Sequence, residues 1–274
     1  MLGKLLKHEF RATGRTMLPV LGVLTVLVVL ANISVRMLDA QLGSFLTVLF
    51  VLLLVLAFIA IVAAEIMPVV MMVQRFYKNL LGSEGYLMHT LPANVHELVW
   101  SKLIVSTVWL LGTNLVIFLL GGLSVLHLGE LSLGEILQEL PSSAEIKEAL
   151  AYAGIGSGDI TLLMVEMAVM VVLVQLVACL HFYAAMALGH MFSKNKGLLS
   201  VVFFVVLSYL FSTLTSLLGV SQADSLEMIH LDTALESLRF VQAVLGESIG
   251  VTLVQGAVFY IATVLGLKKG LNLA

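Results

Sequence analysis

The chain has 274 residues, of which 60% are hydrophobic and only 11% charged, with a mean hydropathy of +1.10. Soluble domains carry nearer ~25% charged residues, so a water-soluble fold of this size is excluded and lipid is the expected solvent for most of the surface. The net charge of −3 says little as a total, and the single cysteine, Cys179, excludes an internal disulfide and lies in an apolar run as a packed thiol.

Residues 1–15, MLGKLLKHEFRATGR, have amphipathic helical spacing. Leu2, Leu5, Leu6 and Phe10 share one face, and Lys4, Lys7, Arg11 and Arg15 the other. Such a helix is expected to lie in the membrane interface, with its charges toward water and anionic lipid. A signal peptide cut after Val29-Leu30-Ala31 is the alternative, but the apolar run that follows is long enough to span.

A first span is predicted over residues 17–34 and a second over 43–73. The second exceeds the roughly 20 residues a bilayer needs, so it tilts or projects. A polar segment at 76–97 follows, within RFYKNLLGSEGYLMHTLPANVHELVWSK. It has its own helix punctuation: Gly82 as a stop, Ser83 as a cap with Glu84 behind it, and Leu91-Pro92 as a break. Asn94 and Glu97 read as a capping box that starts the next helix.

The third span is predicted over 98–126 and the fourth over 160–192. Between them, residues 128–159 carry two capping boxes, Ser132 with Glu135 and Ser142 with Glu145, and so two short amphipathic helices. A basic turn, Ser193 to Gly197, leads to the fifth span over 198–218. A second polar excursion, 219–247, carries a helix starting near Asp232, and the sixth span covers 249–267. The expected fold is therefore all-α: one polytopic membrane domain of six transmembrane helices.

Six spans place both termini on one side, and the Lys/Arg bias selects it. Eleven of the 14 Lys and Arg residues fall on the terminal side, and twelve of the 17 Asp and Glu residues on the other. Both termini and the 76–97 segment are thus expected in the cytosol, and residues 128–159 and 219–247 outside.

The chain has no G-x-x-x-x-G-K-[ST] loop, no GxGxxG turn, no HExxH, no CxxC and no GxSxG elbow. Its seven histidines lack metal-ligand spacing. No catalysis, cofactor or metal is expected within the chain, and nothing points to nucleic acid. Ionisable residues inside spans carry more weight, because each costs about 2.5–3.5 kcal/mol in hydrocarbon. They are Glu65 in the second span and His181 and Glu166 in the fourth. Glu65 and His181 fall at similar depth, so they either pair or each face an interface or crevice. Glu166 is expected to reach the outer water. Methionines at 67, 71, 72, 164, 167 and 170 read as packing.

With this layout, the chain resembles the membrane subunits of bacterial type-2 ATP-binding-cassette exporters. The likeness rests on the basic amphipathic N-terminus, the six spans and the segment RFYKNLLGSEGYLMHTLP, whose SEGYLMHTLP string is similar to the coupling-helix region of small permeases. The resemblance implies a cytoplasmic-membrane permease that pairs with a second copy or a related permease. Two separate ATPase subunits, carrying ATP and Mg, would each receive a coupling helix at about Ser83 to Thr90. Tyr86, Leu87 and Met88 would be its apolar anchors, and Ser83, Glu84 and His89 its polar contacts. The implied substrate is hydrophobic or amphipathic: a peptide, antibiotic or lipid-like molecule. A gradient-driven transporter using Glu65 and Glu166, or a membrane sensor or assembly protein, would do without the ATPase.

Overall fold

Hydrocarbon offers no water to a backbone N–H or C=O, so each must be satisfied within its own segment, which a helix does. The computed structural model describes residues 1–39, 43–82, 85, 93–128, 142–192, 195–217 and 233–269. The elements are α1 (Leu2–Asp39), α2 (Ser44–Phe76) with a π-helical turn at Tyr77–Leu81, α3 (Val95–Leu128), α4 (Ser143–Tyr152), α5 (Ser157–Gly189), α6 (Lys196–Leu217) and α7 (Ala234–Lys269). No strand occurs among the described residues. Six helices, all but α4, are long and apolar enough to cross a membrane.

Two expected boundaries are absent. The N-terminal segment 1–15 is not a separate helix, because α1 runs unbroken into the first span. Pro19 removes one hydrogen bond from the helix without ending it. Packing on α3 holds the helix through this point. The Thr13 hydroxyl donates to the Glu9 carbonyl and accepts from the Trp109 indole N–H, both at 2.8 Å. A β-carbon at Gly14 would lie 3.6 Å from the same indole. Likewise the helix expected near Asp232 and the 249–267 span are one helix, α7. Gly246 and Gly250 each weaken a helix by about 1 kcal/mol, but neither breaks it. Gln242, which donates to the Asp159 carbonyl at 2.9 Å, fastens this part of α7 to α5.

The Ser142–Glu145 capping box forms as expected: Ser142 Oγ accepts the Glu145 N–H at 3.3 Å, and Glu145 Oε2 accepts the Ser142 N–H at 2.6 Å. The Ser132–Glu135 box lies outside the described residues.

Contacts divide the chain into two units. The first comprises Met1–Gln74 and Ile104–Leu140. Its centre is Leu24, Val28 and Ala64, closed by Val20, Leu21, Ala60, Ile61, Val116, Ile117 and Leu120 from α1, α2 and α3. Large side chains cover its outside: Phe45, Phe58 and Phe118 are 80%, 68% and 76% exposed, a surface only lipid can solvate.

The second unit comprises Arg75–Leu103 and Pro141–Ala274. Here α5 packs on α6 and α7. Without a hydrophobic drive between helices in lipid, small residues earn their place by letting backbones approach. A β-carbon at Gly256 would lie 2.9 Å from the Val177 side chain, and one at Gly266 2.9 Å from Ala187. At Gly189 it would lie 2.5 Å from the Ser200 backbone nitrogen.

Candidate functional site

The residues singled out for docking, Ser83, Glu84, Tyr86, Leu87, Met88 and His89, lie outside the described residues. The two stems that carry them are described, and both belong to the second unit.

The leading stem is the π-helical turn Tyr77–Leu81 at the end of α2. Single π turns recur at functional sites because they redirect a helix. Gly82 stops it, as its position in the sequence suggests: its N–H donates to the Tyr77 carbonyl at 2.7 Å. Phe76 and Leu80 are fully buried and Leu81 nearly so. Phe76 stacks on Tyr183 of α5. Tyr77 meets the His190 ring edge-on, with centroids 5.2 Å apart. His190 donates from Nδ1–H to the Met186 carbonyl at 2.9 Å. Its Nε2 is buried and has no partner among the described residues. Burial pushes the His190 pKa below its ordinary value, and the Lys196 charge pushes the same way, against the opposing Met186 hydrogen bond.

The returning stem is the start of α3. The Asn94 N–H donates to Glu97 Oε2 at 3.2 Å, the half of the expected capping box that fixes the chain entry. Leu98, Val99 and Leu103 are buried. His96 Nδ1 lies 2.6 Å from the Tyr260 hydroxyl of α7, and its Nε2 lies 3.4 Å from Lys268 Nζ. An ammonium only donates, so Nε2 accepts and Nδ1–H donates to Tyr260. Trp100 packs on the same tyrosine, with centroids 5.7 Å apart.

Each stem is thus fastened to one long helix, the first to the end of α5 and the second to the end of α7. Tyr183, His190 and Tyr260 were not foreseen from the sequence. The seven-residue spacing of Tyr183 and His190 is the one available signal, since it puts both on one face of α5.

The three intramembrane residues do not form one site within either unit. Glu65 is half-buried in the first unit, with no hydrogen-bond partner among the described residues. His181 is in the second, where Nε2–H donates to the Phe204 carbonyl at 3.1 Å and lies 3.4 Å from Ser208 Oγ. Its ring is layered between Phe204 and Phe259, at 4.2 and 4.7 Å. Glu65 and His181 thus belong to different units. Glu166 is half-buried, and its Oε2 is buried without a partner among the described residues. No group of three metal-ligating side chains occurs among the described residues. Compared with known proteins, the chain matches no family model, no curated protein and no solved structure.

Proposed function

We propose that this chain is the permease subunit of an ATP-driven exporter in a bacterial cytoplasmic membrane. It pairs with a second permease, and two separate ATPase subunits grip the segments at 83–90. Both termini and that segment face the cytosol, and the substrate is hydrophobic or amphipathic. The observation that carries this reading is the double anchorage of the segment. Phe76 is stacked on Tyr183 and His96 is bonded to Tyr260, so a displacement applied between the stems reaches two membrane-crossing helices directly. Buried aromatic contacts transmit displacement because close-packed interiors compress little. A motor acting at this point must be another polypeptide, since the sequence has no phosphate-cradling loop. Affinity purification of the full chain from its own cells tests the proposal. A stoichiometric ATPase should accompany it; functional chain without one would overturn the reading.

A further inference from the structure

The continuity of α1 fixes the direction of its charged face. At about 100° per residue, Lys4, Lys7, Arg11 and Arg15 fall within an arc of about 100°. The buried stripe of the same helix, Thr13, Met17, Leu24, Val28 and Ala31, lies on the opposite side. Followed along the unbroken helix, the cationic arc becomes the exposed apolar stripe of Leu18, Val26, Val29 and Ile33, which are 64%, 58%, 43% and 47% exposed. In a membrane that stripe faces acyl chains, so the cations above it face the headgroups of the same lipids.

Three further observations agree. The four cations are exposed, and among the described residues none makes a side-chain hydrogen bond or ion pair. Glu9 is the only acidic residue before Asp39, and it is buried on the protein side, so it leaves the charge of the arc unopposed. The Trp109–Thr13 hydrogen bond, made on the opposite face of the same turns, stops α1 from rotating the arc elsewhere.

We propose that the first four turns of α1 are a docking strip for anionic phospholipid headgroups in the ring of lipid around the protein. The dimensions fit. The helix is about 57 Å long, against about 30 Å of hydrocarbon, so its first turns lie beyond the apolar core. Arg15 and Arg11 sit closest to the headgroup layer. Tilt and the flexible stems of Lys4 and Lys7 bring the remaining charges to it. The strip depends on neither the exporter reading nor the identity of the leaflet. An acidic protein is the competing occupant, and the continuity of the arc with the lipid-facing stripe favours lipid over it.

The test uses the full chain in vesicles of phosphatidylcholine doped with spin-labelled phosphatidylglycerol or phosphatidylcholine. The fraction of motionally restricted label reports association with the protein surface. The wild-type chain should prefer phosphatidylglycerol by roughly fivefold or more, the worth of one headgroup-level cation. About 1 M salt, with a Debye length of ~3 Å, should bring the preference close to parity. The combined Lys4→Gln, Lys7→Gln, Arg11→Gln, Arg15→Gln variant should lose it at low salt, whereas Lys147→Gln with Arg239→Gln should keep it. If the combined variant does not reconstitute, the salt series on the wild-type chain decides alone. Equal association of the two lipids with the wild-type chain, or a preference that survives salt or the four substitutions, would overturn the proposal. So would an acidic polypeptide held to the purified chain and released by salt while the lipid preference is missing.

Discussion

Phe76, the last residue of α2, and Tyr183 of α5 stack with ring centroids 4.0 Å apart and planes 11° from parallel, and neither is exposed to any solvent. This pair joins the end of α2, where the segment that carries the proposed docking residues begins, to a helix long and apolar enough to cross a membrane.

Phe76→Ala should therefore leave a cavity under the leading stem. Loss of a buried Phe costs about 3–5 kcal/mol in water-soluble proteins, and the lower end applies where lipid replaces water as the reference. Thermal unfolding in detergent should show a clear fall in Tm. Phe76→Leu, which keeps most of the volume, should recover much of it.

Glycine substitutions should separate by location. Gly189→Ala places a methyl 2.5 Å from the Ser200 nitrogen and 2.7 Å from its Cα, so α5 and α6 must part. A loss of about 1–3 kcal/mol is expected, the range for forced overpacking. Gly112→Ala, in α3, meets nothing within 4 Å and should gain up to about 1 kcal/mol from helix propensity. Unfolding midpoints of the two variants should move in opposite directions.

His190 predicts a pH dependence. Its pKa in the folded chain is lowered from the ordinary 6.5, chiefly by burial. The unfolded chain therefore binds the proton more readily, and protonation favours unfolding. The stabilisation is complete above the ordinary value and is lost as pH falls through the folded one. Stability should drop as pH is lowered from about 7.5 through the ordinary value of 6.5 and below. The His190→Gln variant should show a smaller drop over the same window, measured by Tm against pH.

Thr13→Val should strand the Trp109 indole N–H in a partly buried place, at about 1 kcal/mol or more. Trp109→Phe removes that donor as well as some packing. A double-mutant cycle should give a coupling of about 1 kcal/mol between the two positions, read from unfolding midpoints. Additive losses would mean that the hydrogen bond contributes nothing to holding α1 on α3.

The six long apolar helices were legible because their signal is one of composition: long apolar runs need no partner to be recognised. The caps at Asn94 and Ser142 were legible because their chemistry closes within four residues. The continuity of α1 and α7 was not. Whether a helix runs past Pro19 or Gly246 depends on what lies alongside, here Trp109 and Asp159, and those neighbours are distant in the chain. The stem anchors were hidden for the same reason, since no spacing rule links Phe76 to Tyr183 or His96 to Tyr260. For His181, the sequence marked the residue as costly in lipid, and the structure supplies what offsets that cost: two flanking aromatic rings and the Phe204 carbonyl.

The central claim is that a separate ATPase drives this chain through residues 83–90. Photo-crosslinking in living cells, with a reactive amino acid in place of Tyr86 or Leu87, tests it most directly. The account predicts one dominant adduct with an ATPase polypeptide, whose yield changes when ATP is depleted. Adducts confined to the chain itself or to lipid, in cells where the chain is functional, would contradict it.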